Sequence, residues 1–384
     1  MALGREKKPA PGYGEVKSDE YVPPALRIAG AYSWRILLVV GLIAVFVFVF
    51  IQFKDILIPF MVAILVAALL VPLVQFLQRH HWPKWLAVAV AMLGTIAIVA
   101  GLVFVVVAQI RSGYPDLQTR SIKAYDDFKT FLANSPLQLD DRQIQGYIDQ
   151  ATAAFQKDGQ ALLSGALSVG TTAGHVAAGL LLVLFATLFI LIDGKGIWGW
   201  IVRLFPRTAR PALDGSGHAG WVTLTTFVRV QIFVAFVDAV GIGLGAWILG
   251  LVFGGFPLVI PIAIAVFLGS FIPVVGAVLT GTIAVFVALV YLGPLPALIM
   301  VGIVILVQQV EGHVLQPFIM GTAVKVHPLA VVFSVAAGSF IAGIPGALFA
   351  VPIIAVLNVM VKYIASGTWR TNPRPEAKDV LPHA

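Results

Sequence analysis

Between Gln231 and Val361 only three side chains carry a formal charge, Asp238, Glu311 and Lys325. An apolar stretch of that length has no use in a water-soluble domain and belongs in a bilayer. Inside it, two runs are broken at depth by Gly and Pro. Residues 257–292 open P-L-V-I-P-I-A-I-A-V-F-L-G-S-F-I-P-V-V-G-A-V-L and continue as an apolar arm to Leu292. Residues 328–361 open P-L-A-V-V-F-S-V-A-A-G-S-F-I-A-G-I-P-G-A-L, with a similar arm to Val361. A break of this kind strips backbone N–H and C=O groups of helical partners, and lipid cannot replace them. The breaks must therefore face protein or water.

The two runs are copies of one pattern. Both begin Pro-Leu, share G-S-F-I at Gly269–Ile272 and Gly338–Ile341, and pass into G-A-V-L or G-A-L-F. Arms shorter than the roughly 20 residues of a full span allow re-entrant hairpins or pairs of short crossings. One crossing separates the copies, so they approach from opposite faces, as inverted repeats around a transport site do.

Composition extends this to the whole chain: 59% of the 384 residues are hydrophobic and 11% charged, which marks a polytopic membrane protein. The net charge of +7 sits in loops flanking apolar runs, where anionic lipid and insertion rules account for it, so no nucleic-acid partner is expected. With no cysteine, disulfides, thiolate catalysis and thiolate-bound metal are excluded. No short apolar segment with a cleavage site opens the chain, so the first span is expected to direct insertion.

In order, residues 1–30 are a Pro-, Gly- and Lys-rich tail expected to be disordered. Residues 31–108 hold three spans, near Trp34–Phe53, Ile56–Leu77 and Trp85–Ala108, with a basic loop from Arg79 to Lys84. Charges of both signs alternate through 109–165, which read as an extracytoplasmic helical hairpin, with Asp140 and Gln143 in capping-box spacing. Residues 166–192 form a fourth span. Residues 193–230 form an interfacial linker with Trp198, Trp200, Arg203, Arg207 and Arg210. Residues 231–362 are the transport core, and 363–384 a second tail. The excess of Lys and Arg puts the tails, the Arg79–Lys84 loop and the linker in the cytoplasm. The fold class is thus an all-α polytopic membrane protein of about eight hydrophobic segments, two of them broken or re-entrant as an inverted repeat, plus the extracytoplasmic hairpin.

Buried ionisable residues are the first candidates for function, since a charge in hydrocarbon costs several kcal/mol unless paired or hydrated. Asp238 and Glu311 stand at similar distances ahead of the two broken runs and are candidate proton or ion carriers. Gln308, Gln309 and Gln316 offer neutral hydrogen bonds to a polar solute, although interhelical bonds explain them equally well. His313 and His327 can titrate near neutrality but lack ligand spacing, so no metal is expected. Pro273, Gly276, Gly338, Gly343, Pro345 and Gly346 mark the breaks and the pathway they would line. No nucleotide-binding loop and no hydrolase or metalloprotease motif occurs, so the chain reads as neither an ATPase nor an enzyme, and no cofactor is expected. A non-transporting scaffold is the third reading, and it leaves the paired breaks and Asp238 without purpose.

At Q-Q-V-E-G-H-V-L-Q-P-F-I-M-G (Gln308–Gly321) and H-P-L-A-V-V-F-S-V-A-A-G (His327–Gly338) the chain resembles the autoinducer-2 exporter family. The resemblance continues in G-I-P-G-A-L-F-A-V-P (Gly343–Pro352) and F-I-P-V-V-G (Phe271–Gly276), and the layout of spans matches over nearly the whole chain. It implies a bacterial inner-membrane permease. Such a protein would export a small quorum-sensing furanone or, in some relatives, exchange sodium or lithium for protons. It also implies homo-oligomers, with a pentamer as one expected form. His313 stands where the family usually has Asn, which bears on ion coupling and substrate preference.

Overall fold

The computed structural model describes residues 24–133, 169–272, 275–315, 328–376 and 379. Its elements, in order, are α1 (Pro24–Gln52), α2 (Lys54–Arg79), α3 (Lys84–Ala133), α4 (Val169–Arg203), α5 (Arg210–Phe253), α6 (Val259–Gly269), α7 (Val275–Leu292), α8 (Pro294–Val310), a π turn (Glu311–Leu315), α9 (Pro328–Ala365) and a 3-10 turn (Thr368–Arg370). Among the described residues, seven helices are long and apolar enough to cross a bilayer, while α6 and the apolar part of α7 are shorter. No strand occurs among the described residues, and the protein is an all-α, multi-pass membrane protein.

Two boundaries differ from the sequence reading. Helix α1 begins at Pro24, inside the stretch assigned to a disordered tail. Proline suits a first helical turn, and Ala25-Leu26-Arg27 are good helix formers, so local propensity outweighs the tail's composition. Helix α3 continues unbroken to Ala133, so the third span and the first part of the polar insert are one helix. The second arm of the expected hairpin, with Asp140 and Gln143, lies outside the described residues.

Helices α2, α3 and α4 share one core, in which Ala67, Leu70 and Val74 meet Ala87, Val88, Ala91 and Leu191. Small residues let α2 and α4 approach closely, and the Thr187 hydroxyl donates across to Ala63 O at 3.4 Å. Helix α4 is broken at Asp193, whose φ of −140° lies outside the helical range. Lys84 donates to Ile192 O just before that break, placing a cation on carbonyls that the helix end leaves orphaned. Beyond it, Trp198 donates to Asp214 and lies across Gly217, pinning α4 to the start of α5. Arg210 closes the intervening turn by donating to Phe205 O and Arg203 O.

Helix α5 is the axis of the second core. Its 44 residues extend about 66 Å at 1.5 Å per residue, twice the hydrocarbon thickness. It ends at Gly254, whose φ of +108° only glycine adopts without strain. On its C-terminal half Ala239, Ile242, Ala246 and Leu249 pack with Ile262 and Val266 of α6, Ala284, Val287 and Ala288 of α7, and Met300 and Val307 of α8. On its N-terminal half Phe227 and Val228 pack with Val335, Ala347, Ala350 and Val351 of α9.

Candidate functional site

Each broken run is a helical hairpin. In the first, α6 has 11 residues, about 16 Å, which falls short of the ~30 Å hydrocarbon layer. The chain then turns and returns as α7, so close that a Cβ on Gly276 would lie 1.7 Å from Gly269 O. In the second, α9 leaves helical geometry at Ala342 (φ −138°) and Gly343 (φ +62°). A Cβ on Gly346 would there lie 1.9 Å from Gly338 O. Seven or eight residues apart, these pairs would be separated by at least 10 Å in a continuous helix. Their contact means that the backbone doubles back at both breaks. Pro345 stands in the first turn after the second break, where its missing N–H costs nothing.

The hairpins approach α5 from opposite ends. Gly250 meets Phe256, and Gly243 meets Ala263, so α6 runs antiparallel to α5 with its tip toward the middle. Gly215 meets Tyr363, and Gly220 meets Val356 and Met360, so the long arm of α9 also runs antiparallel, from the other end. The tips converge: Ile272, at the first break, packs against the cluster holding Val335 and Ala347 of the second hairpin.

Where they converge, α5 presents its polar side chains. Gln231 is 5% exposed and donates through Nε2 to Ser270 O at 2.6 Å. Asp238 is 1% exposed, and its Oδ2 stands 3.0 Å from the Ser270 hydroxyl. Its other oxygen, Oδ1, has no hydrogen-bond partner among the described residues. Helix α8 brings the second acid. Val307 packs on Gly241 and Ile303 on Gly245, an antiparallel register that carries the end of α8 alongside Asp238. Glu311 opens the π turn there, half-buried and near enough to Asp238 for their charges to interact. A π turn displaces the side chains after it from the helical register, and such turns cluster at functional sites.

The other candidates are less central. Gln308 is half-buried in the last turn of α8, and Gln309 is exposed. His313 is exposed, with Nδ1 3.3 Å from Gln309 O. Pro273, Gln316, Lys325 and His327 lie outside the described residues. Gly276, Gly338, Gly343 and Gly346 form the hairpin tips as described. The site residues that the sequence reading passed over are Gln231 and Ser270. Ser270 belongs to the repeated G-S-F-I, whose recurrence was the available signal.

Two broken helical hairpins meeting beside the buried Asp238 and the half-buried Glu311 suit a membrane carrier, and the comparisons with known proteins agree that the chain is a transporter. The AI-2E family transporter model matches residues 36–366. The chain belongs to the AI-2E transporter family. It is 37% identical over 362 residues to a Mycobacterium tuberculosis (strain CDC 1551 / Oshkosh) protein provisionally named a transport protein, covering 94% of this chain and 96% of the relative. It is 27% identical over 317 residues to YrrI of Bacillus subtilis (strain 168), also provisionally named a transport protein, covering 80% and 86% of the two chains. It is 25% identical over 328 residues to the AI-2 transport protein TqsA of Escherichia coli (strain K12), covering 82% and 87%. This AI-2E transporter is therefore a membrane transport protein and not an enzyme.

Proposed function

We propose that this AI-2E transporter is a secondary exporter of a small polar signalling molecule of the AI-2 class, driven by an ion gradient. The observation that carries the reading is the convergence of two broken helical hairpins, from opposite ends of α5, on Asp238 and Glu311. Two carboxyl groups facing each other in a weakly polarisable interior need a proton or cation between them. Emptying and refilling that position from alternate sides would couple an ion to the solute. Gln308, Gln309, His313 and Gln316 are the polar groups available to the solute, and the breaks marked in the sequence by Pro273, Gly276, Gly338, Gly343, Pro345 and Gly346 would form its walls.

The protein is read as a homo-oligomer, with a pentamer as one expected form, in the bacterial inner membrane with both termini cytoplasmic. The basic residues of the loop after α2, the turn before α5 and the C-terminal segment support that orientation, because contacts join these segments at one end of the molecule. Inverted membrane vesicles carrying the protein test the function. Furanone, sodium and lithium fluxes are followed under an imposed pH gradient. Furanone movement that an uncoupler abolishes supports the exporter. Cation-for-proton exchange without furanone movement replaces it with the antiporter reading.

A further inference from the structure

Beyond its break, α4 exposes two kinds of side chain that no single solvent suits. Asp193 leaves helical geometry, and its Oδ1 accepts the Gly196 N–H at 3.2 Å, capping a short second helix, residues 194–203. One face of this helix is spent on the protein. Val202 is buried there, and Trp198 lies across Gly217 and donates to Asp214 Oδ1 at 3.0 Å. The opposite face carries Trp200, 57% exposed, and one turn on Arg203 and Leu204, the latter 66% exposed. Phe205 and Arg207 continue the exposed surface into the turn. In water, Trp200, Leu204 and Phe205 would forgo burial of their apolar surface. In hydrocarbon, the two guanidiniums would be stranded. The headgroup layer satisfies both, since a ring there meets acyl chain on one side and water on the other, and a guanidinium meets phosphate.

The turn that carries these cations is held by a third. Arg210 spends its own guanidinium on the backbone, donating to Phe205 O at 2.9 Å and to Arg203 O at 2.8 Å. No carboxylate answers Arg203 and Arg207. Among the described residues neither has an acid within ion-pair distance. Asp193 stands ten residues before Arg203, about 15 Å along the helix. Asp214 is engaged by Trp198 and lies 3.5 Å from His218 Nδ1.

We propose that Arg203 and Arg207, with Trp200 and Leu204 beside them, bind the headgroup of an anionic phospholipid in the leaflet at this end of the molecule. Guanidinium N–H groups match phosphate oxygens, and the bond is charge-assisted. With two cations exposed and no carboxylate at hand, the surface suits a headgroup of net negative charge over one whose ammonium cancels its phosphate. The bound lipid anchors the turn between α4 and α5, and with it the start of α5, to the bilayer surface. The site is independent of the transported solute and of the coupling ion.

Lipid retention tests the site. Full-length protein in detergent is titrated with phosphatidylglycerol or phosphatidylethanolamine of the same acyl chains, and native mass spectrometry gives the lipid held per subunit. Phosphatidylglycerol should be preferred. Arg203→Gln and Arg207→Gln should each lower that preference about fivefold, the worth of one basic residue at an anionic surface. Both side chains are exposed, so the variants keep the fold. Arg111→Gln removes an exposed cation from α3 beyond its apolar span and should leave the preference unchanged. Inorganic phosphate should not displace the lipid, because acyl chains against Trp200 and Leu204 add to its binding. Equal retention of the two lipids by the unsubstituted protein overturns the site, and so does a preference that survives the double substitution. An equal loss in Arg111→Gln would reduce the effect to net charge and overturn it too, and displacement by inorganic phosphate would remove the lipid as occupant.

Discussion

The residues that matter most are those with no room or no alternative partner. Gly276 and Gly346 are the tightest points of the two hairpins, where an added Cβ would fall 1.7 Å and 1.9 Å from a facing carbonyl oxygen. Because the obstacle is backbone, neither site can yield cheaply. Gly276→Ala and Gly346→Ala should each lower stability by about 1–3 kcal/mol and stop transport. Thermal unfolding in detergent and solute flux measure this, with Gly302→Ala as control, since nothing lies within 4 Å of the added methyl. Gln231→Ala should cost about 1–3 kcal/mol by leaving Ser270 O buried without its side-chain donor. The same thermal scan reads it, and Gln231→Glu should not rescue, since a carboxylate cannot donate to a carbonyl. Asp238 was legible from sequence because a lone acid in an apolar run has few bland explanations. Ser270 was not, since a serine in such a run is usually bonded to its own helix, which is all that Ser339 does here.

At the scale of elements, the hairpins were legible and their meeting place was not. Gly and Pro at the repeated breaks announce that helix must stop, and the short arms allow either a re-entrant hairpin or a pair of short crossings. What the repeats pack against is a tertiary matter, decided by glycines spaced along α5. Gly241 and Gly245 admit Val307 and Ile303 of α8, and this fixes the register that sets Glu311 near Asp238. A Cβ on Gly245 would approach Ile303 to 2.5 Å. Gly245→Leu should therefore separate α8 from α5, destabilise the protein by about 1–3 kcal/mol and weaken ion coupling more than solute binding. Comparing the two activities on one preparation checks it. Helix α3 shows the opposite failure of pattern reading. Its apolar span ends near Gln109, yet the helix runs on to Ala133, because backbone hydrogen bonding continues where hydrophobicity stops.

For the whole molecule, α5 is the axis and the two hairpins are its opposed attachments. That arrangement predicts sidedness. Arg207 and Leu295 are both exposed, one in the turn before α5 and the other in the first turn of α8. In the naturally cysteine-free chain, Leu295→Cys should react with an impermeant maleimide on intact cells, and Arg207→Cys only after permeabilisation. Labelling of both from the same side would refute the topology. The central claim is that the two hairpins converge on Asp238 because the coupling ion binds there. Solute accumulation by proteoliposomes under an imposed pH gradient tests it most directly. Asp238→Asn should abolish gradient-driven accumulation while leaving downhill solute exchange intact, and accumulation with an unchanged pH dependence in that variant would contradict the account.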